Sequence, residues 1–169
     1  MIGKFKEAIN FMAHDDMLTG IKRIQELLKD PLFADGLDEL KHQCYINLGM
    51  AYQELKNNLT ALKFYYKAVQ LRESDFATWM KISKICIQKK YFEQADFCLQ
   101  TALQHVPSLI YENILYEQMT HVSYLKRAYE ECLKKIDFLE KKDPFNANII
   151  LLKACCYRQL GYLFFQSPC

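Results

Sequence analysis

Large and small apolar residues recur along the chain with a period of 34. Slid by 34 positions, Tyr45 falls on Trp79, Leu48 on Ile82, Ala61 on Ala95 and Ala68 on Ala102. Tyr65 meets Leu99, Tyr52 meets Cys86, and the small Gly49 meets Ser83. A fixed period of this length marks stacked structural units, each too small to bury its own apolar face. The pattern predicts two antiparallel helices per unit. Gly49, Ala61, Ala68, Ala95 and Ala102 let the paired backbones approach, and Tyr45, Tyr52, Tyr65 and Trp79 fill the gaps between neighbouring units. Pro107, one period after Glu73, stops the second helix of its unit.

The flanks follow the same plan with more drift. Upstream, Ala8, Phe11, Gly20, Ile24 and Leu27 fit one divergent unit, with His14-Asp15-Asp16 as its turn and Asp30-Pro31 as its end. An elongated connection, Phe33 to Leu40 with Asp35-Gly36, separates it from the next. Downstream, about three inserted residues bring Pro144 into register, and Cys132, Ile136 and Leu139 then form a buried stripe at helical spacing. A last helix, Asn146 to Leu160, carries Ile150, Ala154 and Tyr157 and ends on Gly161. The sum is a single domain of four helix pairs and a lone helix. Its units are 1–32, 42–75, 76–109, 110–145 and a half unit 146–163.

An aromatic, apolar and small residues, then Ala-x3-aromatic-x2-Ala and Pro resembles the tetratricopeptide (TPR) repeat. The resemblance implies an all-α fold, a right-handed α–α superhelix. Natural arrays finish on a polar capping helix. Tyr162-Leu163-Phe164-Phe165 is apolar, so the expectation is a fragment or short isoform of a longer array, or a tail that packs on a partner.

Composition narrows the function. At 51% hydrophobic residues with five Gly and four Pro, neither a disordered chain nor a turn-rich β-sandwich fits. A net charge of +2 lacks the basic excess that drives phosphate binding, so no direct nucleic-acid contact is expected. The first ten residues are charged and alternating, without a signal-peptide core, and no run approaches the ~20 apolar residues of a membrane span. The seven Cys form no C-x-x-C pair and have no His at ligand spacing, which reads as reduced core thiols in an intracellular protein.

Nothing in the sequence carries catalysis, a cofactor or a metal. There is no phosphate loop, no G-x-S-x-G and no H-E-x-x-H. His14, His42, His105 and His121 read as ordinary surface or helix-end residues. Glu130 and Glu131 are adjacent, so on a helix they diverge, as do Cys155 and Cys156. Lys134-Lys135 and Lys141-Lys142 read as a solvated face.

What remains is a partner-binding groove on the first helix of each pair. In one unit its residues are Gln43, Ile46, Asn47, Met50 and Glu54. In the next they are Ala77, Met80, Lys81, Lys84 and Gln88, with a basic stripe from Lys81 and Lys84. Chaperone-binding TPR domains hold a C-terminal carboxylate in a clamp of Lys and Asn. Here only Asn47 and Lys81 match, while Phe5, Ile9 and Ala77 occupy the other positions, so the clamp is incomplete.

A longer resemblance starts at Glu26-Leu27-Leu28-Lys29-Asp30-Pro31-Leu32-Phe33. It continues through Leu40 to Tyr52, Ala61 to Leu71 and Asp75 to Ile82. In this order, over residues 5–104, the chain resembles the N-terminal TPR region of the family of calcineurin-binding protein cabin and the related fungal Hir-complex subunit. The resemblance implies a nuclear scaffold in a HIRA-type histone-chaperone complex, with the complex's WD-repeat subunit as partner. Family members are far longer, the stretch His105 to Leu115 lacks their Asn-Pro and Trp-Pro pattern, and the family's calcineurin-binding tail is outside the match. Trp79 to Ala102 with Leu115-Tyr116-Glu117-Gln118-Met119 is also similar to the TPR subunit of TFIIIC. A cytoplasmic peptide-binding adaptor or co-chaperone is the other reading.

Overall fold

A computed structural model describes residues 1–14, 16–31 and 37–161. The expected connection through Asp35-Gly36, the tail Tyr162 to Phe165 and Cys169 lie outside the described residues. These form nine helices and no strand: α1 (Ile2–Ala13), α2 (Met17–Leu28), α3 (Asp38–Glu54), α4 (Asn58–Leu71), α5 (Phe76–Gln88), α6 (Phe92–Gln104), α7 (Leu109–Leu125), α8 (Tyr129–Glu140) and α9 (Ala147–Gln159). The chain divides into two compact units, Met1–Ile85 and Cys86–Cys169.

The repeat is visible in the backbone of its turns. Lys56, Lys90 and Arg127 have φ of 60°, 61° and 62°, the left-handed region. In each case the next N–H reaches the carbonyl five residues back: Asn57 to Tyr52 at 2.8 Å, Tyr91 to Cys86 at 2.8 Å, Ala128 to Ser123 at 2.9 Å. This is the Schellman ending of a helix, here with a long basic residue where Gly is usual. The first two turns stand 34 residues apart and the third 37 later, so the three-residue insertion inferred from the sequence lies before Arg127.

In the first unit, α1 packs on α2, α3 packs on α4, and α1 and α2 also touch α3. Ala8, Ile21, Ile24, Leu27, Leu40, Cys44, Leu48 and Ala51 form a continuous buried cluster. Two glycines set the helix spacing. A Cβ on Gly20 would lie 2.4 Å from Met12 Cγ and 2.8 Å from the Ala8 carbonyl, and one on Gly49 would lie 2.5 Å from the Tyr65 ring. Tyr65 is fully buried and donates to Gln53 Oε1 at 2.9 Å.

The aromatic residues do not all fill gaps between neighbouring units. Tyr45 and Tyr52 both stack on Phe64 of their own pair, with centroids 6.3 and 5.5 Å away. Tyr52 alone also reaches back, accepting from Gln25 Nε2 of α2 at 3.2 Å. Phe64 stands between two aromatic positions about two α-turns apart, which draws both rings inward. Trp79 bridges pairs as expected, meeting Tyr66 edge-on at 6.5 Å while its indole N–H donates to the Glu73 carbonyl at 2.8 Å.

His42 corrects the surface reading of the histidines. It is 3% exposed, and its Nε2 lies 3.1 Å from Asp75 Oδ2, outside hydrogen-bond alignment. Asp75 in turn caps α5, accepting from Thr78 N at 3.1 Å and Thr78 Oγ1 at 2.5 Å. One carboxylate thus starts α5 and holds it against α3.

In the second unit, α6 and α7 are tied by Lys126, whose ammonium sits 2.9 Å from Glu93 and 3.0 Å from the buried Asp96. The hydrogen bond to Glu93 raises the Lys126 pKa against the opposing effect of burial. Cys132, Ile136 and Leu139 form the expected stripe and pack with Ile149 and Cys156 of α9. Lys135 leaves the solvated face assigned to it and pairs with Glu131, while Lys142 pairs with Glu112. On α9 the expected face is out of phase: Ile150 and Ala154 are exposed, and Ile149 and Cys156 are buried. The run Ile149-Ile150-Leu151-Leu152 has no polar break, so its phase is set by packing on α8 rather than by pattern.

Candidate functional site: the outward faces of the first helices

The ten residues assigned to the groove share one face on each of their helices. On α3, Gln43, Met50 and Glu54 are exposed and Ile46 and Asn47 half-buried; on α5, Ala77, Lys84 and Gln88 are exposed and Met80 and Lys81 half-buried. Part of this face is occupied with its own helix: Asn47 Nδ2 donates to the Gln43 carbonyl at 2.8 Å, and Gln43 Nε2 to Glu39 Oε1 at 3.1 Å. Lys81 and Lys84 have no ion-pair partner among the described residues.

The sequence reasoning missed the counterpart of this face in the second unit. Counting back from the left-handed turn residues, position ten is Ile46, Met80 and then Glu117; position six is Met50, Lys84 and then His121. The same register therefore continues onto α7. There it borders a cleft of about 310 Å³ between α7 and α9. Thr120, Leu139 and Ile149 are its buried walls, Tyr124, Leu152 and Cys155 its half-buried ones, and Glu117, His121, Asn148 and Leu151 its exposed rim.

Each wall has a local cause. Asn146 caps α9, accepting from Asn148 N at 3.1 Å and Ile149 N at 3.4 Å, and so fixes where α9 begins. Tyr124 packs on Tyr129 at 5.6 Å, and burial with the nearby Cys155 and Tyr129 holds its phenol above the ordinary value, against Arg158. Thr120 turns its hydroxyl away, donating to the Tyr116 carbonyl at 2.6 Å. The cleft is left apolar, with Leu151 65% exposed at its edge. On α7 the apolar surface continues outward through Ile114 and Ile110, which share the face of Glu117. The Glu117 carboxylate has no ion-pair partner among the described residues.

No group of three or more His, Cys, Asp or Glu among the described residues is placed to hold a metal, and no described helix is long and apolar enough to cross a membrane. The tetratricopeptide-repeat family model matches residues 42–75 and 76–104. Residues 42–104 are tetratricopeptide repeats. The all-α fold agrees with solved TPR-like structures. A MamA protein has a TM-score of 0.74 at 13% identity, covering 95% of this chain and 85% of that one. MamA from Desulfovibrio magneticus RS-1, from residue 41 onward, gives 0.69 at 14%, covering 94% and 86%. PilF of Pseudomonas aeruginosa gives 0.61 at 11%, covering 94% and 64%. At these identities the likeness is one of fold. None of these three is a cabin- or Hir-family protein. The turn residues at 56, 90 and 127 extend the TPR register past the matched segment and onto α7.

Proposed function

We propose that the chain is a non-enzymatic protein–protein interaction scaffold that anchors its partner in the α7–α9 cleft. The observation that carries this is the apolar cleft of about 310 Å³ on the face that the repeat register presents. A volume of that size takes one large apolar side chain of a partner. The unpaired Glu117 beside it favours a cationic residue next to that side chain. Affinity purification of the tagged chain with mass spectrometry identifies the partner. Leu151→Asp and Glu117→Lys are expected to weaken its capture at least tenfold. Equal capture by wild type and both variants rejects the cleft as the anchor.

The finer reading is a nuclear, cabin-like subunit of a HIRA-type histone-chaperone complex. Its support is the sequence resemblance over residues 5–104. It predicts co-purification with the WD-repeat subunit of that complex, and recovery of heat-shock chaperones alone overturns it.

A second reading, a peptide-binding adaptor, is favoured by Lys81 and Lys84, which stand on α5 without ion-pair partners among the described residues. It predicts binding of an acidic C-terminal peptide that Asn47→Ala with Lys81→Ala abolishes. No binding by the wild-type chain disposes of it.

A further inference from the structure

Two fully buried thiols meet where α9 rests on α8. Cys156 Sγ lies 3.3 Å from Cys132 Sγ and donates to it, and Cys132 Sγ donates in turn to the Thr120 carbonyl of α7, also at 3.3 Å. The sulfurs are within van der Waals contact, and a disulfide requires them to close to about 2.05 Å. The neighbouring Cys155 of α9 turns instead to the cleft, half-buried.

We propose that Cys132 and Cys156 are a covalent modification site, a dithiol that hydroperoxides oxidise to a disulfide stapling α9 to α8. The inference does not depend on what occupies the cleft.

Access comes from the way α9 is held. Only Ile149 and Cys156 of this helix are buried, and its polar ties include the Asn146 cap and the ammonium of Lys153, which lies 2.6 Å from Glu140 and 3.6 Å from Asp137. A helix with so few buried residues opens locally at a small fraction of the cost of global unfolding. The closed pair is protected: burial, with the Cys156 contact, pushes the Cys132 thiol up to about 12, and burial also raises Cys156. Reaction therefore passes through the opened helix, where Cys156 regains an ordinary thiol.

The chemistry balances with hydrogen peroxide as oxidant. The Cys156 thiolate attacks one peroxide oxygen and the O–O bond breaks, giving a sulfenic acid on Cys156 and, with the thiol proton, one water. As α9 closes, Cys132 Sγ attacks Cys156 Sγ. The S–S bond forms, the S–O bond breaks, and hydroxide leaves as the second water with the Cys132 proton. Two thiols lose two electrons and two protons, and the peroxide takes up both. The product removes the opened state of α9 and fixes the wall of the cleft that carries Leu151, Leu152 and Cys155.

The test uses the full chain with hydrogen peroxide, non-reducing tryptic mapping and thiol titration. The titre is expected to fall by two from the seven thiols of the chain, with Ala128–Lys134 linked to Ala154–Arg158. Cys155→Ser should keep that link and Cys156→Ser should lose it. This separates the two cysteines that share one peptide. Amide exchange across Ala147–Gln159 should slow on the order of tenfold or more after oxidation, reversed by dithiothreitol. The mapping of the wild-type chain stands even if a variant fails to fold. A link that survives Cys156→Ser overturns the proposal, and so does oxidation that leaves only sulfinic or sulfonic acid on Cys155 and no linked peptide.

Discussion

Gly49 faces the ring of Tyr65 so closely that an added Cβ would stand 2.5 Å from two ring carbons. The ring cannot retreat, because it is fully buried and its hydroxyl is bound to Gln53. Gly49→Ala is therefore expected to cost about 1–3 kcal/mol through overpacking, despite the better helix propensity of Ala. Urea unfolding followed by Trp79 fluorescence measures it, and an unchanged midpoint would contradict the packing. Asp75 makes the complementary case. Asp75→Ala removes the α5 cap and is expected to cost about 1 kcal/mol. Asp75→Asn keeps a capping oxygen and should lose less. The Gly49–Tyr65 contact was legible in the sequence as a small residue among large ones. His42 was not, because a single polar residue inside a helix gives no periodic signal of burial.

The elements are joined by turns whose residues hide them. A helix ending in the left-handed region usually shows Gly, yet Lys56, Lys90 and Arg127 hold that conformation here. All three side chains are exposed, so nothing in the packing requires them. Lys90→Gly and Arg127→Gly are each expected to stabilise by about 0.5–1 kcal/mol, relieving the Cβ strain, while Lys90→Val should destabilise. Thermal unfolding of the three variants decides it, and a lower melting temperature for both Gly variants would count against the turn geometry. The missing Gly signal also explains what the sequence withheld. The period of 34 located α3 to α6, and the ten residues assigned to the groove are exposed or half-buried on α3 and α5. The continuation of their register onto α7 was obscured by three inserted residues ahead of a turn without Gly, which is why Glu117 and His121 went unrecognised. The phase of α9 was lost for another reason: four consecutive apolar residues fit any face.

At the scale of the whole molecule, buried weak acids are spread over both compact units. Burial pushes Cys44 up to about 12 and, with Glu54 adding to it, Tyr65 up to about 12 in Met1–Ile85. It pushes Cys132 up to about 12 and raises Cys156 in Cys86–Cys169. These groups fold in their neutral forms. Their ordinary values, 9.0 for the thiols and 10.0 for the phenol, apply once the chain unfolds. Below pH 9 both states keep the protons and stability is intact. Above it the unfolded chain releases protons that the folded chain retains, so stability falls with rising pH until the folded groups ionise near 12. Each such thiol steepens the decline by up to about 1.4 kcal/mol per pH unit. Helical circular dichroism reports on both units, whereas Trp79, the single tryptophan, reports on the first. Melting temperatures should therefore be level from pH 7 to about 9 and drop beyond it by both probes. Cys44→Ala should flatten the decline seen by Trp79 and leave the remaining helical signal on its original slope. A melting temperature that stays level to pH 11 would show that these groups ionise in the folded chain as readily as in water, against the burial assigned to them.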